Sequence, residues 1–298
     1  MLAHNPIMAT IETVALRRGG LCLAESRPSV QIIFLLRFLA GTALCAQAAG
    51  ADGHLGRTAW GALTWVLMIF SVYLFNGVMD VSEDRLNGSR RPICRGDLPP
   101  TFATAVAVGA ALVSLLSGFA LDPRMGLLLT VVLVLGYLYS GPPFPLKRSS
   151  GGTVLTGGAA TVLTYVAGAL SYASEFRVSI MLIVFVPAAS LWTALVGSTT
   201  KDLPDIEGDA QAGRTTFAVT HGEAALRRAI CAVAIGLALA FTAAVLLLEL
   251  PLWPSALAMV AGALAITVLC VQGRRREPYG AFMATQYAMH GLVILALV

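Results

Sequence analysis

The sequence predicts an all-α protein that crosses a membrane nine times, and three observations support this fold class. The chain of 298 residues is 57% hydrophobic and only 12% charged, whereas a soluble globular domain has about 25% charged residues. Its apolar residues form long continuous runs, and its charged residues fall in the short gaps between them. Because the strands of a membrane barrel would alternate apolar and polar residues, these runs indicate helices.

Nine runs have the length of a membrane-spanning helix, which needs about 20 mostly apolar residues. They occupy residues 29–49, 59–79, 101–121, 125–142, 153–173, 178–198, 225–248, 252–272 and 280–298. Residues 1–26 are expected to be an N-terminal cytoplasmic tail, and residues 27–298 a single transmembrane domain. The five cysteines are scattered without a CxxC pair, so they indicate neither a disulfide framework nor a zinc site.

The distribution of lysine and arginine predicts the orientation, because cytoplasmic loops carry an excess of both. One set of loops contains only Arg57, Arg124 and Arg177, and Arg37 lies inside the first run. The other sixteen of the 20 basic residues share a side with the N-terminus. We therefore expect a cytoplasmic N-terminus and an external C-terminus. The basic residues form no patch, so despite the net charge of +4 no nucleic acid is expected as a partner.

Arg37 is the basic residue inside a predicted span, about 12 Å from its start at the helical rise per residue. One interpretation is that its side chain snorkels to the cytoplasmic interface. The other is that it faces the protein interior, as a structural ion pair or as a substrate contact.

An acidic segment lies at the expected cytoplasmic end of the second run. Asn76, Asp80 and Asp84 follow one another at intervals of four residues, which places them on one face of a helix. Carboxylates this close repel each other. A divalent cation removes the repulsion, and hard oxygen ligands suit Mg2+.

A second acidic segment lies at the same expected end of the sixth run. Asp205 and Asp209 have the four-residue spacing again, and Asp202 precedes them by one turn. Pro204 is expected to kink or restart the helix there. Since Mg2+ takes one or two carboxylates and completes its shell with phosphate oxygens and water, two such segments facing each other suggest a bridging diphosphate. Basic residues for its remaining oxygens stand nearby, namely Arg90, Arg91, Lys147 and Lys201.

These segments resemble the motifs of the UbiA superfamily of intramembrane prenyltransferases. The first is similar to the NxxxDxxxD motif of that family, at Asn76, Asp80 and Asp84, and it continues to an arginine–proline pair at Arg91 and Pro92. Many members have aspartate directly after the motif asparagine, whereas this chain has Gly77.

Two further stretches carry the resemblance. The second acidic segment is similar to the DxxxD motif of the family, at Asp205 and Asp209. Residues 139–143, Tyr-Ser-Gly-Pro-Pro, together with Lys147, resemble the tyrosine–serine and proline–proline stretch that lies between the two motifs in the family. The sequence of residues 201–209 resembles the homogentisate-type and lipid-type branches of the family more than its 4-hydroxybenzoate branch.

The resemblance implies nine helices around a central cavity, with Mg2+ as cofactor and a prenyl diphosphate as substrate. It implies that the catalytic and metal-associated residues are Asp80, Asp84, Asp205 and Asp209. It implies that the diphosphate is contacted by Asn76, Arg91, Tyr139, Lys147, Lys201 and Asp202. The cavity would exclude water from an allylic cation, and aromatic faces could stabilise that cation. Candidates are Tyr73, Phe75, Tyr137, Tyr139 and Phe144.

The motifs describe how the diphosphate leaves and not what attacks next. The first hypothesis is transfer of the prenyl group to a lipophilic acceptor within the bilayer, which we expect to be aromatic. The alternative in the same superfamily is a terpene cyclase, in which an alkene of the substrate itself attacks. A transporter is disfavoured because transporter sites lie near the midplane, whereas these acidic residues lie at one end of their spans. A non-catalytic scaffold is the remaining possibility.

Overall fold

The computed structural model describes residues 6–49, 54–173 and 178–297. Within these ranges the chain is 85% helical without strands. Nine of the helices described there are long and apolar enough to cross a membrane, and they coincide with the nine predicted runs. The predicted fold class is therefore confirmed. Arg177, which entered the orientation argument, lies outside the described residues.

The helices follow one another with short connections. Their bounds are α1 (Pro6–Glu25), α2 (Pro28–Ala49), α3 (Leu55–Met79), α4 (Val81–Leu86), α5 (Pro92–Arg95), α6 (Pro100–Leu121), α7 (Pro123–Ser140), α8 (Ser150–Tyr172), α9 (Ile180–Leu191), α10 (Ser198–Asp202), α11 (Ile206–Gln211), α12 (Phe217–His221), α13 (Glu223–Leu247), α14 (Trp253–Val271) and α15 (Glu277–Leu297). A 3-10 turn covers Leu146–Arg148, and a π-helical segment covers Trp192–Gly197.

Most of the region expected as an N-terminal tail forms a helix, α1, over Pro6–Glu25. This helix packs against α3 and α5. Cys22 on α1 is buried in one apolar cluster with Leu74 and Ile93. The apolar stretch at residues 21–24 is too short to cross a membrane, and two of its residues, Leu21 and Cys22, pack in this cluster.

The spanning helices form a bundle with two large apolar clusters. One cluster joins α2, α3, α6, α7 and α8, and the other joins α9, α13, α14 and α15 to α2 and α8. Contacts between α15 and α2 connect the last spanning helix to the first. Between the two clusters lies a cavity of about 190 Å³. It is lined by α2, α3, α7, α8, α10, α15 and the π-helical segment. The central cavity implied by the resemblance is therefore present.

The sixth span is irregular where it approaches the second acidic segment. Pro187 lies inside α9, the π-helical segment follows, and α10 ends at Asp202. A turn at residues 203–205 then separates α10 from α11, as Pro204 predicts. The π-helical geometry is rare and is often found at functional sites.

Candidate active site

The first acidic segment continues the helical path of α3 beyond its last residue. The backbone N–H of Asp80 donates to the carbonyl of Asn76 at 2.9 Å, and that of Asp84 donates to the carbonyl of Asp80 at 2.7 Å. The three predicted residues therefore share one face. Asn76 Nδ2 also donates to Ser140 Oγ at 2.7 Å, which ties the first motif to the Tyr-Ser-Gly-Pro-Pro stretch.

Cations that lie outside this segment in the sequence hold its carboxylates. Lys147 Nζ pairs with Asp80, and it lies 2.9 Å from Glu83 Oε2. Arg91 Nη1 lies 2.7 Å from Asp84 Oδ2. Lys147 is only 3% exposed, so its charge depends on these partners.

Glu25, at the end of α1, extends this network and was not anticipated from the sequence. Its buried carboxylate lies 2.8 Å from Arg91 Nε and accepts from the backbone N–H of Ile93 at 2.9 Å. The space beside Gly77 contains this pair, since a Cβ there would lie 2.5 Å from both Arg91 Nη2 and Glu25 Oε1. A larger residue at position 77 would therefore require the Glu25 and Arg91 side chains to shift.

The second acidic segment spans the turn between α10 and α11. The backbone N–H of Asp205 donates to the backbone carbonyl of Asp202 at 3.2 Å, and that of Asp209 donates to the backbone carbonyl of Asp205 at 2.8 Å. Among the described residues, Asp202 and Asp205 have no basic group within 4.0 Å. Burial raises the pKa of both the Asp205 and the Asp209 carboxyl groups above the ordinary aspartate value.

Arg214 joins the two segments. Its Nη1 lies 3.1 Å from Asp209 Oδ1, and its Nη2 pairs with Glu83 of the first segment. Helices α4 and α11 are in contact, and Gly208 lies so close to Asn87 that a Cβ would overlap its side chain. The two acidic segments therefore meet at one end of the bundle.

Backbone hydrogen bonds bring the Lys147 loop to the same place. The N–H of Thr215 donates to the carbonyl of Arg148 at 2.8 Å. The N–H of Phe217 donates to Ser150 Oγ at 2.7 Å. These bonds place Lys147 between the chain that follows the second segment and the carboxylates of the first.

The cavity opens toward these segments through polar residues. Three predicted substrate contacts line it, namely Asn76, Tyr139 and Lys201, whereas Lys147 and Arg91 are engaged with carboxylates. Arg27 lines it as well and was missed, although the run of basic residues near the N-terminus contained it. Burial lowers the pKa of Arg27, but Asp84, Tyr73 and Asp80 more than offset this and raise it overall.

The five aromatic candidates fall into two groups. Tyr73 and Tyr139 line the cavity. Phe75 and Tyr137 stack on each other with ring centroids 6.1 Å apart, and Phe144 is 84% exposed. Two of the five therefore line the cavity.

Arg37 does not snorkel. It is 3% exposed, lines the cavity, and donates from Nη2 to Thr193 Oγ1 at 3.0 Å and to Gln286 Oε1 at 3.1 Å. Of the two interpretations of the sequence, the interior one is correct. Its partners are neutral, so the side chain is not part of a structural ion pair with any described residue.

The carboxylates fit a shared Mg2+ and do not form a complete cage. In the described part of the chain, no three histidine, cysteine, aspartate or glutamate side chains converge enough to hold a metal alone. Asp209 Oδ2 is buried without a hydrogen-bond partner, as expected of an oxygen that awaits a cation. A Mg2+ ion that obtains part of its shell from phosphate and water fits this set.

Comparison with known proteins identifies the family of the chain. Residues 34–291 match the family model of the UbiA prenyltransferase family. The chain is 28% identical over 171 residues to 2-acyl-4-prenylphloroglucinol 6-prenyltransferase of Humulus lupulus, covering 53% of this chain and 40% of the relative. It is 32% identical over 181 residues to digeranylgeranylglyceryl phosphate synthase of Ignicoccus hospitalis, covering 59% and 58%. The chain thus spans about half the length of the curated relatives it matches.

Solved structures share the fold. A UbiA homologue from Archaeoglobus fulgidus bound to DMAPP and Mg2+ superposes with a TM-score of 0.68 at 22% identity, covering 92% of this chain and 99% of that one. A homologue from Aeropyrum pernix K1 gives 0.66 at 20% identity, covering 89% and 98%. The bundle, the joined acidic segments and the family match lead to one conclusion: this chain belongs to the UbiA prenyltransferase family.

Proposed function

We propose that the protein is a Mg-dependent intramembrane prenyltransferase, which ionises a prenyl diphosphate and transfers the prenyl group to a lipophilic, aromatic acceptor. The observation that carries the proposal is the meeting of two carboxylate segments, joined by Arg214, at the polar end of an apolar cavity. Relatives named as prenyltransferases of an aromatic compound and of a glyceryl phosphate support the same reaction class.

In this proposal Asp80, Asp84, Asp205 and Asp209 hold Mg2+, which when bound supplies positive charge to the diphosphate oxygens. Arg27 and Lys201 at the cavity opening bind the phosphates, and Asn76 and Tyr139 donate hydrogen bonds to them. Asp202 stands beside Lys201 in the sequence, and its carboxylate would approach the diphosphate through Mg2+ and not directly. Lys147 and Arg91 keep the first segment in place through their ion pairs and contribute positive charge nearby.

The cavity determines the fate of the prenyl group after the C–O bond breaks. The diphosphate leaves with the bonding electrons, and its negative charge is stabilised by preorganised donors. The apolar walls exclude water, which would otherwise quench the allylic cation. Tyr73 and Tyr139 can stabilise that cation with their ring faces. A nucleophilic carbon of the acceptor then bonds to the prenyl carbon and releases a proton.

Product analysis tests the proposal directly. Membranes that contain the protein would receive each of several prenyl diphosphates, with and without phenolic acceptors, in Mg2+ or in EDTA. The expected result is diphosphate release that needs Mg2+ and a prenylated product that needs the acceptor. A cyclic hydrocarbon or alcohol without acceptor would instead indicate a terpene cyclase. No diphosphate release under any of these conditions would contradict both enzyme hypotheses.

A further inference from the structure

The junction between α1 and α2 holds Glu25 at the edge of the first acidic segment. Glu25 is fully buried, and its backbone carbonyl accepts from Arg91 Nη2 at 2.7 Å. The next residue, Ser26, is bonded on both sides. Its N–H donates to the carbonyl of Cys22 at 3.0 Å, and its carbonyl accepts from Gln31 Nε2 at 2.9 Å. Main-chain contacts therefore fix the residue that carries this carboxylate.

Arg91 is shared between two carboxylates. Its Nε lies 2.8 Å from Glu25 Oε1, and its Nη1 lies 2.7 Å from Asp84 Oδ2. Both contacts are shielded from water, since the side chains of Arg91 and Asp84 are only 12% and 16% exposed. Among the described residues, Glu25 has no second cation within 4.0 Å. One guanidinium thus compensates two carboxylates, and the three groups together keep one negative charge.

This remaining charge lies in the segment that holds Mg2+ in the proposed function. Without Glu25, Arg91 and Asp84 would form a neutral pair, which attracts a divalent cation less than a group with a net negative charge does. The guanidinium would also lose a contact that orients it beside Asp84. Through Arg91, Glu25 therefore affects both the charge and the geometry of the first segment.

The space beside Gly77 offers a second route by which a carboxylate can reach Arg91. A Cβ at residue 77 would lie 2.5 Å from both Arg91 Nη2 and Glu25 Oε1, so a side chain there would compete with Glu25 for one space. If Glu25 were truncated, an aspartate at residue 77 would have its carboxylate beside Arg91 after a small shift of the guanidinium. Positions 25 and 77 are thus alternative sources of the same carboxylate.

We propose that Glu25 is a positioning residue of the first acidic segment, and that it raises the affinity of this segment for Mg2+ by holding and neutralising Arg91. The inference rests on the proposed function and deepens it, because it gives the helix before the first span a role in metal binding. Arg91 then acts on Asp84, whereas the sequence resemblance implies a contact to the diphosphate.

Glu25→Gln is the first variant, because glutamine keeps the size of the side chain and an oxygen for the N–H of Ile93 but removes the charge. The melting temperature of purified protein with an unreactive prenyl diphosphate analogue would be followed from EDTA through increasing Mg2+, which gives an apparent Kd. We expect a Kd about tenfold higher than in the wild-type protein, as for the loss of one nearby charge. The Mg2+ concentration for half-maximal diphosphate release should rise by a similar factor.

The wild-type protein separates this inference from the proposed function. If the wild-type protein gains no stability from Mg2+ and releases no diphosphate, the proposed metal site is wrong, and the role of Glu25 with it. If the wild-type protein binds Mg2+ and Glu25→Gln has the same Kd, the role of Glu25 alone is wrong. A lower melting temperature in EDTA with an unchanged Kd would likewise show that Glu25 stabilises the fold without serving the metal.

Two double variants keep the test valid if Glu25→Gln does not fold. Glu25→Ala with Gly77→Asp supplies a carboxylate from the second position, whereas Glu25→Ala with Gly77→Asn supplies a similar shape without the charge. We expect the aspartate version to bind Mg2+ within about threefold of the wild-type Kd, and the asparagine version to bind about tenfold more weakly. Equal Kd values would overturn the inference, as would an aspartate version that folds no better than the asparagine version.

Gly77→Asp in the otherwise wild-type protein should have the opposite effect. It brings a third carboxylate beside the buried Glu25, and like charges at close range repel each other. We expect a lower melting temperature in EDTA than in the wild-type protein. A substitution that harms the wild-type protein and rescues Glu25→Ala would show that residues 25 and 77 supply one carboxylate to Arg91, and a harmful effect in both backgrounds would contradict this.

Discussion

The two acidic segments lie side by side but differ in how their charges are compensated. In the first, Asp80, Glu83 and Asp84 each contact a lysine or an arginine. Among the three aspartates of the second segment that the structure describes, Asp209 alone has such a contact, through one of its two oxygens. The cations that hold the first segment come from loops far apart in the sequence, whereas the second segment lies at a turn between two short helices.

This difference suggests a division of roles. The first segment is fixed by the protein itself, so its carboxylates are preorganised. The second retains negative charge that burial makes unfavourable, as the raised pKa of Asp205 and of Asp209 shows. We therefore expect the second segment to gain more from a bound cation than the first.

The largest expected effect is on turnover, and it should be shared by both segments. Asp80→Asn and Asp209→Asn should each lower turnover at least ~100-fold, because charge stabilisation at such a site contributes several kcal/mol. Diphosphate release from membranes with matched protein amounts would measure this. Glu207→Gln is the control, since Glu207 lies in the second segment but is exposed and pairs with Arg275. Near-normal turnover of Asp209→Asn would remove that residue from the metal site.

Replacing Lys147 or Lys201, to which the sequence assigns similar roles, should affect the stability of the protein differently. Lys147→Ala leaves two carboxylates without their buried partner, so the free energy of unfolding should fall by about 3 kcal/mol. Its KM for the prenyl diphosphate should also rise, more than its use of acceptor changes. Lys201→Ala breaks no ion pair of the described residues, so it should raise KM with little change in melting temperature. Equal destabilisation by both variants would contradict the comparison.

Loss of Arg214, which joins the two segments, should have an intermediate effect on the free energy of unfolding. Arg214→Gln removes the contacts to Glu83 and Asp209, and we expect it to cost about 2 kcal/mol, as for hydrogen bonds to charged groups. Melting curves in detergent would measure the loss, and Arg214→Lys should recover part of it. A melting temperature equal to that of the wild-type protein would show that the segments associate without this arginine.

The smallest effect is expected at Asp205. Asp205→Asn removes a charge that burial disfavours, and it breaks no ion pair, so without Mg2+ the stability should rise by up to about 1 kcal/mol. Asp80→Asn should lower it under the same conditions, because Lys147 loses a partner. Melting curves in EDTA would compare the two, and a loss of stability in Asp205→Asn would show that the second segment is also compensated.

The sequence predicted the features that depend on local patterns. Continuous apolar runs identified the nine spans, and four-residue spacing placed Asn76, Asp80 and Asp84 on one face. The shared end of the two acidic segments followed from counting spans between them. These patterns are governed by the helical repeat and by the length needed to cross a bilayer, so they can be read without tertiary contacts.

The partners of the charged residues could not be predicted in the same way. Glu25 and Arg91 are 66 residues apart, and Arg214 and Glu83 are 131 residues apart. No periodic pattern connects positions at such separations, since the packing of whole helices brings them together. The sequence could not decide whether Arg37 snorkels or faces the interior, for a related reason. Its burial depends on α15 and on the π-helical segment, and the sequence of α2 alone does not show that these elements pack there.

The pair of Glu25 and Gly77 has a consequence for how the protein can be shortened. A version that starts at Pro28 would keep every crossing helix described here and every aspartate of both segments, yet it would lack the carboxylate that holds Arg91. The N-terminal helix, which looks dispensable because it precedes the bundle, therefore belongs to the minimal unit that should be expressed. The space beside Gly77 in α3 is filled in part by the Glu25 side chain, which comes from α1 and not from a spanning helix.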